Sequence, residues 1–405
     1  MIQQDEYMDR GTGNRWEAVQ GQGMEPGQWN TPGQGTVPGQ GTVPGQGTVP
    51  GQGTVPGQGQ GTEPVPPDWN QAEPVLRKMQ RRQFSRVGLV SASFLLVTFL
   101  AQIGMIAIAG VMNRILGGAV DFFSGTGLIL LSAIPMYLVA FPVAVALLQL
   151  IPKCGSAQRE QWGIGRFMAC LVISLGIGLA GNLLGQLVEW FKPSGTGGSD
   201  LDSLLSNTGL WVNVLFTVLL APVVEELFYR KLLMDRLLGY GEGAAVLMSG
   251  LMFGLAHGNF SQFFYAFGIG MVWAYVYAKT GKVGYTIAFH MIFNLLGGVI
   301  TVELLKGVDG MLEGPWLLRQ IEQALSLDFS TLISIVSGIL IIGYFILMAS
   351  CLIGGITIII LYRRQIRFAP GQWPIRKGQR FKTVVLNVGM ILYFLICGGM
   401  FVLNW

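Results

Sequence analysis

From residue 87 onward the chain alternates long apolar runs with short polar breaks, most of them basic. A helix needs about 20 apolar residues to cross a bilayer. Nine segments reach or approach that length: 87–112, 125–151, 167–190, 209–229, 244–258, 262–278, 283–302, 331–361 and 383–404. The fifth is short, and its crossing is left open between a full span and a re-entrant segment. The eighth is long enough to tilt. The pattern predicts an all-α fold, a polytopic membrane helix bundle of about 8–9 transmembrane helices. The loop 303–330 contains an amphipathic stretch, Trp316 to Leu327, suited to lying on the membrane surface.

Before residue 76 the pattern changes. Residues 1–75 hold no long apolar run, and the hexamer Pro-Gly-Gln-Gly-Thr-Val repeats in four copies from Pro32 to Val55. Gly and Pro at this density bury too little apolar surface to offset the entropy of ordering, so a disordered Gly/Pro/Gln-rich tail is expected. Gly does not recur at every third position, which excludes collagen. A period of six is too short for a solenoid unit. The first residues, Met1 to Gly13, are polar and carry no signal-peptide pattern. The domain reading is therefore a tail at 1–75 and a membrane helical domain at 76–405.

Charge adds orientation. The tail carries 2 basic and 8 acidic residues, and the remainder carries 24 basic and 14 acidic. Arg77, Lys78, Arg81, Arg82 and Arg86 precede the first span. Further basic residues follow the second, fourth, sixth and eighth spans, whereas the loops at 191–208 and 303–330 are acidic or nearly neutral. Positive loops stay inside, so the N-terminus is expected in the cytoplasm.

Composition excludes several classes. Hydrophobic residues make up 51% and charged residues 12%, against about 25% charge in soluble domains. That removes a soluble enzyme and an ordinary nucleic-acid binder; the expected partner is the lipid bilayer. Four Cys without a C-x-x-C spacing suggest neither a disulfide framework nor a zinc ribbon.

Ionisable residues inside spans are costly and usually functional. Here they cluster between residues 221 and 294. The fourth span ends in Glu225-Glu226-Leu-Phe-Tyr-Arg230, the fifth in Phe253-Gly-Leu-Ala-His257, and the seventh carries His290-Met-Ile-Phe-Asn294. These are the two histidines of the chain. Glu226 and Arg230 share a helix face at four-residue spacing and can pair. Glu225 points about 100° away, toward a different neighbour. His290 and Asn294 also share a face. Each position has a plainer reading: a structural ion pair for Glu226–Arg230, interhelical glue for His290 and Asn294, an interfacial residue for His257. Elsewhere Gly176-Ile-Gly178-Leu-Ala-Gly181 matches G-x-G-x-x-G, but inside a span; Gly181 and Gly185 suit close helix packing better. H-E-x-x-H, a P-loop and the rhomboid-type serine motif are absent.

The three motifs, Glu225-Glu226-x-x-x-Arg230, Phe253-x-x-x-His257 and His290-x-x-x-Asn294, resemble in order those of the CPBP family. That family contains the CAAX prenyl endopeptidases and the Abi-type, bacteriocin-immunity-related membrane proteases. The resemblance covers about 205–305. It implies an intramembrane glutamic endopeptidase acting on a membrane-associated peptide or protein, with its site in a cavity open toward the cytoplasm. It also implies roles. Glu225 would activate water with help from His257, His290 and Asn294 would stabilise the oxyanion, and Glu226 and Arg230 would position the others. No cofactor is required. The alternative is a Zn²⁺ held by Glu225, His257 and His290, since three protein ligands suffice for a catalytic zinc. The competing functions are a non-catalytic immunity or binding protein using the same polar cavity, and a small transporter with a proton relay. The repeat tail fits a bacterial host, so the expected location is a bacterial cell membrane.

Overall fold

The computed structural model describes residues 69–119, 122–192, 207–308 and 329–405. Of the tail expected at 1–75, residues 1–68 lie outside the described residues, as does the amphipathic stretch Trp316 to Leu327; Trp69 to Val75 are helical, the start of the first helix. Residues Arg77–Trp405 form one compact unit, separate from Met1–Leu76. The described residues are all-helical apart from turns and connecting segments. We number the helices α1 (Trp69–Ile115), α2 (Gly125–Gln149), α3 (Ile164–Glu189), α4 (Leu210–Arg236), α5 (Glu242–Ala256), α6 (Phe260–Thr280), α7 (Val283–Lys306), α8 (Phe329–Tyr362), α9 (Lys377–Val384) and α10 (Val388–Leu403).

Helices dominate because backbone polar groups have no partner in hydrocarbon and must pair within their own segment. Six described helices are long and apolar enough to cross a membrane, or up to seven if α9 and α10, bent by 64°, count as one span. About 8–9 spans were expected, from nine candidate segments. The difference lies mainly at the fifth and sixth. Helix α5 has only 15 residues and falls short of a full apolar span. Helix α6 has 21 residues but is rich in Tyr and Trp, which lowers its hydropathy. It is also enclosed: none of its residues is exposed, and Ile269, Trp273, Ala274, Val276, Tyr277 and Ala278 are buried. A helix shielded by protein on most sides needs less aliphatic character than one facing lipid.

Small residues let the neighbours of α6 approach. A Cβ on Gly181 of α3 would press on the backbone of Tyr265, and one on Gly185 would lie 2.7 Å from the Ser261 carbonyl. On the other flank, a Cβ on Gly250 or Gly254 of α5 would meet Met271 or Phe267. The G-x-G-x-x-G match is thus a packing stripe: Gly176 abuts α8 at Cys351 and Leu352, and Gly178 abuts Phe293 of α7. Helices α5 and α6 form a hairpin turned at Gly258, whose φ is +67°. Asn259 then caps α6, accepting from the Gln262 amide at 2.9 Å.

Polar ties close the end of the bundle that carries the basic loops. Arg236 is buried and donates to the Leu148 and Ile151 carbonyls at 2.8 and 3.1 Å, satisfying the C-terminus of α2. Glu242 binds Lys279 at 2.7 Å and accepts from the Ala369 amide and Gln158 at 2.7 Å each. These contacts set the height of α5 beside α4 and α6, and so the depth of His257.

Gly181→Leu is expected to lower stability by about 1–3 kcal/mol through overpacking. Gly165→Ala on the same helix, where nothing lies within 4 Å, should leave it unchanged. Thermal unfolding in detergent compares the two, and equal effects would refute the close-packing account.

Candidate active site

The two adjacent glutamates of α4 occupy different surroundings. Glu226 is fully buried, and its Oε2 lies 3.0 Å from Nε of Arg230, one turn on and equally buried. The approach is an ion pair without hydrogen-bond alignment. The guanidinium stacks over the ring of Phe253 at 4.6 Å and lies 5.8 Å from that of Trp273. Ser249 of α5 links it to the backbone: its hydroxyl lies 3.4 Å from Arg230 Nη1 and donates to the Tyr229 carbonyl at 2.9 Å. One buried pair thereby fastens α4 to α5 and α6.

His290 completes the buried group. Its Nδ1 lies 3.1 Å from Glu226 Oε1, and its Nε2 lies 3.9 Å from Glu225 Oε2. A carboxylate paired with a guanidinium accepts hydrogen bonds, so Nδ1 carries the proton and Nε2 faces Glu225. The ring packs against Trp273 at 4.8 Å and edge-on to Phe253 at 5.7 Å. Both aromatic residues fix its plane. Phe253 opens the second motif; Trp273 lies outside all three, and only its place on an enclosed helix marks it.

Glu225 is the carboxylate that reaches open space. Its side chain is 24% exposed, against 0% for Glu226. It lines a cavity of about 430 Å³ together with His257. His257 ends α5, and its Nδ1 lies 2.9 Å from the Phe253 carbonyl. A carbonyl can only accept, so Nδ1 is the protonated nitrogen and Nε2 is left free. The cavity's other walls are mainly apolar, with Thr98 and Gln102 of α1 and Tyr229 of α4 as the further polar side chains. Its lining residues Leu96 and Phe99 of α1, and Leu395 and Leu403 of α10, are also exposed on the outer surface. The cavity thus meets the flank of the bundle between its first and last described helices.

Asn294 takes a different place. It does not line the cavity; its Nδ2 donates to the Thr217 carbonyl of α4 at 2.8 Å. Local backbone chemistry explains the contact. Residues Val214–Leu220 form a π-helical stretch, and the Ala221 amide bonds the Phe216 carbonyl five residues back. In that register the next donor, for Thr217, belongs to Pro222, which has none. Asn294 supplies the missing N–H. His290 and Asn294 therefore share a face of α7 as expected, yet bind α4 at separate points.

Comparison with known proteins fits this geometry. Residues 207–296, which hold the three motifs, match the family model of the type II CAAX prenyl endopeptidase Rce1-like proteins. Over these residues the chain is similar to the CPBP family whose motifs they carry. The chain is also similar to the membrane-embedded CAAX protease MroQ of Staphylococcus aureus (strain USA300), 29% identical over 100 residues. That match covers 23% of this chain and 40% of the relative, so the chain spans less than half of the curated relative's length. No solved structure matches the chain. The CPBP core therefore accounts for α4 to the middle of α7, and leaves α1–α3 and α8–α10 to be explained by this chain alone.

Two outcomes follow from the contacts. Arg230→Ala leaves Glu226 buried without its cation, and should cost about 3–5 kcal/mol, read as loss of thermal stability in detergent. Asn294→Ala should cost about 1–3 kcal/mol by orphaning the Thr217 carbonyl. In a Pro222→Ala background, which restores a backbone donor, the cost should shrink. An equal cost in both backgrounds would exclude the carbonyl-capping role.

Proposed function

We propose that the chain is an intramembrane endopeptidase that hydrolyses a peptide bond of a membrane-associated protein or peptide. The observation that carries this reading is the division between the two glutamates. One is sealed with Arg230 and His290, and the other shares a cavity with an imidazole whose free nitrogen is defined. The match to the CPBP core supports it.

In the proposed reaction Glu225 takes a proton from water while His257 Nε2 holds that water by its second hydrogen. The water oxygen bonds to the scissile carbonyl carbon, whose oxygen becomes an oxyanion. His290, as an imidazolium with its Nδ1–H held by Glu226, donates Nε2–H to the oxyanion; Asn294, which donates to the Thr217 carbonyl away from the cavity, would have to turn to join it. Collapse breaks the C–N bond, and protonated Glu225 returns its proton to the leaving nitrogen. General acid–base catalysis of this kind contributes about 10²–10⁴-fold, and a preorganised donor at the oxyanion about 10²–10³-fold. Glu226 and Arg230 position the other groups.

A zinc centre on Glu225, His257 and His290 finds little support in the geometry. Among the described residues no three His, Cys, Asp or Glu side chains come together as a ligand set. One nitrogen of each imidazole is engaged, by Phe253 and by Glu226, and Nε2 is the open position of each. The chemistry above uses the side chains alone. We further infer that the protein lies in a bacterial cell membrane with its N-terminus in the cytoplasm, on the strength of the basic loops and the bacterial relative.

The test is cleavage of a pool of membrane-derived and prenylated peptides by the purified full chain in detergent. Wild type should cleave. Glu225→Ala should lower the rate at least about 10²-fold, and a strong chelator should not. Loss on chelation with recovery on Zn²⁺ would replace this mechanism with a metal-dependent one. Peptide binding without cleavage, unchanged in Glu225→Ala, would favour the non-catalytic binding protein.

A further inference from the structure

A second concavity lies at the end of the bundle that carries the basic loops, away from the cavity of Glu225. Its volume is about 420 Å³. The segment joining α2 to α3 forms one wall, and the last turns of α4 and α6 with the start of α7 form the other. Four cations line it: Lys153, Arg159, Lys231 and Lys282. The lining holds a single carboxylate, Asp235, so three positive charges stay uncompensated within it.

Asp235 organises the pocket and does not fill it. It is buried, and its Oδ1 accepts from the Tyr277 hydroxyl at 2.6 Å. Its Oδ2 lies 3.2 Å from Lys231 and 3.7 Å from Lys153. Lys231 also donates to the Tyr277 oxygen at 3.2 Å, and Lys282 donates to Gln161 at 3.2 Å. Each ammonium has three hydrogens, so donors remain. Arg159 and Lys282 are exposed. The N-terminus of α7, which follows Lys282 directly, has no side-chain cap, and its dipole adds to the same positive field.

We propose that this pocket is a binding site for a phosphate-type anion, held by Arg159, Lys282, Lys153 and the outer face of Lys231. Three helix ends meet there, the C-termini of α4 and α6 and the N-terminus of α7, at the end of the bundle that carries the basic loops, and the side-chain cations dominate the field. Basic pockets between helices at such an end suit anionic lipid headgroups, and free phosphate shares the same chemistry. The site stands independently of the proposed hydrolysis. It is tied to α4 through Lys231, the residue after Arg230.

The experiment uses the full chain in zwitterionic nanodiscs. Native mass spectrometry counts retained short-chain phosphatidylglycerol, with inorganic phosphate as the competing probe. Wild type should retain the lipid. Arg159→Ala with Lys282→Ala should weaken retention roughly 30-fold, as two surface cations at about fivefold each. Arg363→Ala with Arg364→Ala, the same charge loss on an exposed loop, should change it less than about twofold. The swapped pair, Arg159→Lys with Lys282→Arg, should recover most of the affinity and so separates charge loss from misfolding. Competition by millimolar phosphate would assign the site to a soluble phosphate, and persistence of the lipid would assign it to a headgroup. Equal retention in wild type and the double alanine variant, or equal loss in the loop control, would overturn the proposal.

Discussion

The structure turns on one buried ion pair. Glu226 and Arg230 sit one turn apart on α4 with no exposure, and each neutralises the other's charge in surroundings that tolerate neither alone. Arg230 then lies on the faces of Phe253 and Trp273, and Glu226 receives His290. Helices α5, α6 and α7 are thus positioned by a pair on a fourth helix. The cost of burying the charges is offset by this convergence, because each added contact also places a side chain of the candidate site.

Close approach makes the convergence possible. Gly250 and Gly254 bring α5 onto α6, which puts Phe253 under the guanidinium. The π-helical stretch at Val214–Leu220 and the proline that follows shift the register of α4. They leave a carbonyl that Asn294 must complete. An irregular helix is therefore part of the joint between α4 and α7, and the same irregularity carries the two glutamates into a protein-lined interior.

Much of this was legible in the sequence, for physical reasons. Charged residues inside apolar runs are rare enough that Glu225, Glu226, Arg230, His257, His290 and Asn294 stood out, and helical spacing alone paired Glu226 with Arg230. The all-helical bundle followed from the apolar runs. Less legible was anything that depends on what surrounds a helix. The apolar run at 244–258 and the aromatic-rich one at 262–278 both read as candidate spans in one dimension, although one is short and the other is sheathed by protein. The engagement of Asn294 with Thr217 needed the backbone register of α4, which side-chain periodicity does not encode. Nor did spacing reveal which of two adjacent carboxylates meets open space.

The walls of the 430 Å³ cavity have a further consequence. Its Glu225 and His257 come from the segment that matches the family model, whereas Phe94, Phe99, Leu395 and Leu403 come from helices outside it. Under the proposed function, the groups that would react and the walls that would select lie in separate stretches of one chain. A change in the flanking helices would then alter what the cavity admits through its open flank and leave Glu225 and His257 in place.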